Sequence, residues 1–208
     1  MSGNKVLLES RINKLLKRSF DLFFTLFAIL FVLSWLVPII AILIKLTSNG
    51  PVFFVQKRTG IDNKEFPCIK FRSMYVNEQA HEIQASKFDQ RVTSIGFFLR
   101  KFSLDELPQF LNVLVGQMSI VGPRPLMIKH TKDQSQQIDN FQLRHQIKPG
   151  ITGLSQIRGF RGEMVDNRML RGRLKIDLFY LNHWSLFLDF FIIAKSIKLM
   201  LFGDDKAY

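Results

Sequence analysis

Cysteine is nearly absent: Cys68 stands alone in 208 residues, which excludes an internal disulfide. It falls in an alternating apolar run with no activating pattern nearby and reads as a packed core residue. Acidic residues are also scarce, with 17 Asp and Glu against 29 Lys and Arg and a net charge of +12. Such a balance points to anionic partners, whether nucleic acid, anionic lipid or a phosphorylated substrate. With 3 Tyr and 2 Trp, stacking aromatics do not interleave clearly with the basic residues, and no nucleic-acid motif is present. Nucleic acid is therefore not an expected partner. The N-terminal region lacks the short apolar core and small-residue cleavage site of a signal peptide.

What is abundant is apolar: 47% of residues are hydrophobic and 21 are phenylalanine. From Leu22 to Ile44 no charge interrupts the chain, and roughly 20 apolar residues suffice to cross a bilayer. The chain is thus expected to be held in a membrane. Lys5, Arg11, Lys14, Lys17 and Arg18 form a basic arm before this run, suited to anionic headgroups. Lys45, Lys57, Arg58 and Lys64 follow it. Charge on both flanks gives no orientation, as expected if both stay on one side. Pro38 cannot donate to the carbonyl of Ser34, so the helix should bend there, with the Ser34 hydroxyl helping to satisfy nearby backbone. On these residues alone, a kinked spanning helix and a re-entrant one both remain open.

Beyond the turn at Thr47-Ser-Asn-Gly-Pro51, residues 52–56 and 66–71 read as strands of a hairpin around Gly60-Ile-Asp-Asn. Lys70 and Arg72 alternate with apolar residues and leave one face, either solvated or meeting phosphate. His81, Glu82 and Asp89 fit no metal-ligand spacing.

The most informative stretch is Arg100 to Met118. Leu104, Leu107, Leu111 and Leu114 recur at helical spacing, and Ser103 with Glu106 has the capping-box pattern. Pro108 fits only if the first turn is irregular or the helix starts later. Neighbouring carboxylates on a helix point about 100° apart, so Asp105 and Glu106 can serve different partners. They could also be a cap and a dipole complement only. Their company favours chemistry: Arg100 lies just upstream, and Arg124 is held between Pro123 and Pro125, where its planar guanidinium can meet a phosphate in bidentate fashion.

Residues 127–146 read as a polar helical connector, with His130 and His145 in surface or structural roles, and Lys148-Pro-Gly-Ile-Thr-Gly153 as a tight turn. Arg158, Arg161, Arg168, Arg171, Arg173 and Lys175 then suit either lipid headgroups or a phosphorylated substrate. The closing segment from Asp177 to Phe202 is apolar and aromatic, but Asp189, Lys195 and Lys198 favour an interfacial helix over a span, with Trp184 at the wet–dry boundary.

Ser103-Leu-Asp-Glu-Leu-Pro-Gln109 followed by Gly116-Gln-Met-Ser-Ile-Val-Gly-Pro-Arg-Pro125 resembles the bacterial sugar transferase family, the monotopic phosphoglycosyl transferases. Lys70-Phe-Arg-Ser-Met74 and Lys148-Pro-Gly-Ile-Thr-Gly-Leu154 extend the likeness over roughly Arg11 to Met200. The resemblance implies a mostly helical α+β, monotopic protein. Residues 1–46 would be a basic arm and a re-entrant helix–break–helix at Ser34 and Pro38, and residues 47–208 a cytoplasmic catalytic domain with a small hairpin and interfacial amphipathic helices. Val37 stands where the family usually has serine before the proline, and Lys148 where arginine is commoner. The implied reaction, at the cytoplasmic face of a bacterial inner membrane, moves sugar 1-phosphate from a nucleoside diphosphate sugar, typically a UDP-sugar, to polyprenyl phosphate. By resemblance Asp105 is the nucleophile, Glu106 helps hold Mg²⁺ with Asp105 or handles protons, and Arg100, Arg124, Lys70, Arg72 and Lys148 bind phosphate. A non-catalytic basic protein on the membrane surface, binding anionic lipid or a partner, is the competing reading.

Overall fold

The computed structural model describes residues 7–77, 80, 89–160, 162 and 166–202. Helix runs unbroken from Arg11 to Thr47 and is long and apolar enough to cross a membrane. It comprises α1 (Arg11–Ala28), a widened turn over Ile29–Leu33 and α2 (Ser34–Thr47). In the wide turn the Ser34 amide reaches five residues back to the Ile29 carbonyl. Pro38 lacks the N–H that the Ser34 carbonyl would accept, and the irregular turn lies just ahead of it. The Ser34 hydroxyl donates to the Leu30 carbonyl at 2.7 Å, as the sequence suggested. Phe23, Phe27, Leu30, Phe31, Trp35 and Ile42 are exposed along this helix, Phe23 by 75%. So continuous an apolar face marks a surface made for something other than water.

The basic arm divides. Arg11 and Lys14 are exposed, but Lys17 is buried between Asp21 (2.9 Å) and Asp189 (3.0 Å). Arg18 donates to the carbonyls of Val113 and Leu114. These two cations dock the helix onto the domain rather than onto headgroups, because acceptors from distant segments converge on them. Lys5 lies outside the described residues.

The hairpin forms as expected: β1 (Phe53–Thr59) pairs antiparallel with β2 (Glu65–Phe71), placing Phe54 opposite Lys70 and Gln56 opposite Cys68. Asp62 and Asn63 carry left-handed backbone angles in its turn. Cys68 is buried. After β2 come α3 (Ser94–Lys101), α4 (Gln109–Leu114), β3 (Ser119–Val121) and α5 (Ile128–Gln137). β4 (Gly150–Thr152), the short α6 (Leu154–Ile157), α7 (Asn167–Asn182) and α8 (Leu186–Phe202) complete the order.

The turn at Lys148–Gly153 is in fact β4, which runs parallel to β3. A Cβ on Gly150 would meet the Gly122 amide at 2.1 Å, so only glycine lets the two backbones pass this closely.

The main core joins β2, β3, α7 and α8 through Phe66, Met118, Ile120, Tyr180, Leu181 and Ile192, with Phe20 and Phe24 of α1 packed on it. Trp184 belongs to this core. It is buried and donates to Asp189, so the boundary role expected for it does not hold. Tyr180 donates to the other Asp189 oxygen at 2.7 Å. Asp189 is thus a buried acid whose oxygens a lysine, a phenol and an indole satisfy. On the outer side of α8, Phe187, Phe190, Leu201 and Phe202 are exposed.

Candidate active site

No helix begins at Ser103. That residue is left-handed (φ 55°), its hydroxyl caps nothing, and a single tight turn over Leu104–Glu106 follows. Pro108 directly precedes α4. Having no N–H, proline is tolerated at such a start and not further inside. The leucine stripe holds only in its first half: Leu107 is buried with Leu104 packed against the same cluster, but Leu111 is exposed while Gln109, Asn112 and Val113 are buried. Asn112 joins α4 to β2. Its Oδ1 accepts from the Ile69 amide at 3.0 Å, and its Nδ2 donates to the Pro67 carbonyl at 2.7 Å. That junction places Lys70, the next residue of β2, beside the tight turn.

The turn presents both carboxylates to a cavity of about 360 Å³. Asp105 and Glu106 are only 8% and 6% exposed, yet their surroundings differ. Glu106 receives Lys70 Nζ at 2.8 Å and both Arg124 terminal nitrogens, at 2.6 and 3.1 Å. Asp105 makes no hydrogen bond or ion pair among the described residues. Burial pushes its carboxyl above the usual range, Lys70 pulls it down, and the Glu106 charge raises it again. A carboxylate without such partners beside several cations has the chemistry to attack a phosphorus, whereas a doubly clamped one holds its clamps in place.

Arg124 is set from behind. Arg144, buried, donates to the Arg124 carbonyl at 3.0 Å and to Asp177 at 2.9 Å, and Ser155 takes the other Asp177 oxygen. Arg100 enters from the last turn of α3, where Thr93 caps the first turn by accepting from the Gly96 amide. One buried Arg100 nitrogen has no partner among the described residues.

Of the other expected site residues, Arg72 lines the cavity but donates to the carbonyls of Ser48 and Asn49, closing the end of α2. Lys148 does not line it. It lies beside Gly116 and Arg18, and burial and then Arg18 lower its pKa. Arg161, His81 and Glu82 lie outside the described residues, and Asp89 pairs with Arg91. His145 is buried, with Nδ1 2.6 Å from Asn63 Oδ1, in keeping with a structural role.

The sequence reading missed Arg58, which lines the cavity and whose guanidinium burial lowers to about 10. Phe54, Gln56 and Arg58 share the β1 face that pairs with Lys70 and Cys68, so period-two alternation was the available signal. The cationic stretch also resolves: Arg158, Arg168, Arg171 and Lys175 are exposed, and Arg173 alone among its described members is buried at the cavity.

Known proteins resemble this chain over most of its length. A family model described as bacterial sugar transferase matches residues 12–203. The UDP-glucose:undecaprenyl-phosphate glucose-1-phosphate transferase of Klebsiella pneumoniae is 49% identical over 187 residues, covering 89% of this chain and 40% of that protein. A UDP-N-acetylgalactosamine-undecaprenyl-phosphate N-acetylgalactosaminephosphotransferase of Aeromonas hydrophila is 41% identical over 95% of this chain and 46% of its own length. The exopolysaccharide production protein PSS of Rhizobium leguminosarum is 41% identical over 88% of this chain and 93% of its own. The chain therefore spans about two fifths of the Klebsiella relative and nearly all of the Rhizobium one. With the family model covering nearly its whole length, the chain belongs to the bacterial sugar transferase family.

Proposed function

We propose that the protein transfers a sugar 1-phosphate from a UDP-sugar to polyprenyl phosphate, through a covalent intermediate on Asp105. The observation that carries this is the contrast between the neighbouring carboxylates: Glu106 is held by Lys70 and Arg124, and Asp105 is unengaged among cations. The relatives' names supply the substrate class, since those of Klebsiella and Aeromonas specify UDP-sugars and undecaprenyl phosphate.

In the first displacement an Asp105 oxygen attacks the phosphorus that carries the sugar. The bond from that phosphorus to the bridging oxygen breaks, and UMP leaves with the oxygen. In the second, an oxygen of polyprenyl phosphate attacks the same phosphorus and the aspartyl oxygen departs, restoring the carboxylate and giving polyprenyl diphosphate sugar. Arg100, Lys70 and Arg124 supply positive charge where phosphate oxygens gather charge in each displacement. Glu106 keeps two of those cations in place.

The two carboxylates have the hard-oxygen chemistry that suits Mg²⁺, which commonly takes one or two carboxylates together with substrate phosphates. Asp105 and Glu106 would hold it, and it would neutralise diphosphate charge when bound. The apolar faces of the long helix and of α8 would seat in the membrane, the former as a re-entrant helix–break–helix with its break at Ser34 and Pro38. Catalysis would then take place at the cytoplasmic face of the inner membrane.

UMP release is the direct assay, with protein in nanodiscs, Mg²⁺, polyprenyl phosphate and a panel of UDP-hexoses and UDP-N-acetylhexosamines. Release that depends on one donor supports the reading and names the sugar. No release from any donor, with no phosphosugar adduct on the protein, overturns it.

A further inference from the structure

Arg173 is a buried cation with no hydrogen bond or ion pair among the described residues. It projects from α7 into the cavity and is 5% exposed. Its Nε and one terminal nitrogen have no partner among the described residues. Burial, then the nearby Arg144 and Arg124 against the opposing Asp177, lower its pKa to about 9. Asp177 is already taken by Arg144 and Ser155. Buried donors left unpaired are unfavourable, and a buried charge more so, unless a ligand completes them. The fork geometry of a guanidinium matches a phosphate.

Its position says which phosphate. The Arg124 guanidinium reaches Glu106, next to Asp105, while its carbonyl accepts from Arg144, which Asp177 holds. Arg173 lies one helical turn before Asp177 on α7, so Arg173 and Asp105 reach the shared cavity from elements that hold opposite ends of Arg124. In-line displacement puts the departing group opposite the attacking one. When Asp105 attacks, the phosphate of the leaving nucleotide occupies the side opposite Asp105. When polyprenyl phosphate displaces Asp105, its own phosphate must approach from there.

We propose that Arg173 is the arginine that binds the phosphate opposite Asp105, holding the UMP phosphate in the first displacement and the polyprenyl phosphate in the second. The inference rests on the double-displacement reading above. It separates Arg173 from Arg168, Arg171 and Lys175, which point outward on the same helix.

The test compares wild type, Arg173→Met and Arg173→Lys in nanodiscs by three measurements. UMP affinity is measured by calorimetry, exchange of labelled UMP into UDP-sugar is followed without acceptor, and KM for polyprenyl phosphate is determined with acceptor. Arg173→Met should weaken UMP binding at least about tenfold, slow the exchange and raise the KM for polyprenyl phosphate, and Arg173→Lys should recover part of each. Because two guanidinium nitrogens have no partner among the described residues, replacement by Met should leave Tm equal or higher. A purely structural arginine would instead lower Tm and leave UMP affinity per folded molecule unchanged, which overturns the proposal. Unchanged UMP binding and KM in an active Arg173→Met protein also overturns it. If wild type releases no UMP from any donor, the double-displacement reading itself fails, and this assignment with it.

Discussion

Glu106 and Arg124 form a two-point ion pair, with the terminal nitrogens of the guanidinium 2.6 and 3.1 Å from the two carboxylate oxygens. Eighteen residues separate them in sequence, and the pair closes the cavity wall next to Asp105. Its consequence is a contrast between adjacent acidic residues: Glu106 holds two cations, and Asp105 has no hydrogen bond or ion pair among the described residues.

Asp105→Asn should lower turnover by roughly 10²–10⁴-fold or more, the loss usual for an essential group, without loss of fold. Burial raises the Asp105 carboxyl above its unfolded value, so the folded state takes up a proton more readily than the unfolded one. Its ionised form therefore costs stability at neutral pH, and that cost fades as pH falls through the folded pKa. The Asn variant should melt higher than wild type near neutrality, with the gap narrowing in acid. Differential scanning calorimetry across pH checks this, and a lower Tm for the variant at pH 7 contradicts it.

Asn112→Ala removes the partners of the Ile69 amide and the Pro67 carbonyl at a position only 1% exposed. Each buried group left unsatisfied costs about 1–3 kcal/mol, so with two such groups denaturant unfolding should show a loss of about 2–6 kcal/mol. Since β2 carries Lys70, the folded variant should also lose kcat.

Lys17→Met leaves Asp21 and Asp189 without their shared cation. Breaking a buried pair on one side costs about 3–5 kcal/mol. Tyr180, Trp184 and Ser119 still donate to these carboxylates, which places the expected loss at the lower end. A change in Tm within error would show that the long helix is not locked through Lys17.

His145 is neutral in the fold because burial, then Arg144, lowers its pKa from 6.5 to about 4. Asn63 Nδ2 donates to Gln142, so Asn63 Oδ1 accepts from His145 Nδ1, and Nε2 is buried without a partner among the described residues. The unfolded chain protonates below pH 6.5 and the fold resists until about 4. The stability contribution is thus whole above 6.5 and falls away between 6.5 and about 4, by up to roughly 3 kcal/mol. Replacing His145 with Gln should flatten that part of the pH–stability curve.

Local signals carried much of this architecture. The uncharged run from Leu22 to Ile44 and the alternation around Cys68 are visible in a few residues and were read correctly as helix and hairpin. Adjacency in sequence also exposed the Asp105–Glu106 pair and the proline-held Arg124. Long-range pairing was not legible. Lys17 and Trp184 looked like interfacial residues because nothing in their neighbourhoods announces Asp189, and Arg18 gave no hint of the α4 carbonyls. Ser103 with Glu106 imitated a cap, although Glu106 was already claimed by Lys70 and Arg124 from two other segments. Arg173 was one cation among several until α7 turned it inward.

The account stands on Asp105 as nucleophile, and the most direct measurement is intact-protein and peptide mass spectrometry after incubation with the cognate UDP-sugar and Mg²⁺ without acceptor. The account predicts a phosphosugar adduct on the peptide containing Asp105, UMP released in matching amount, and loss of the adduct when polyprenyl phosphate is added. UMP released only in the presence of acceptor, with no adduct at any time, would contradict it.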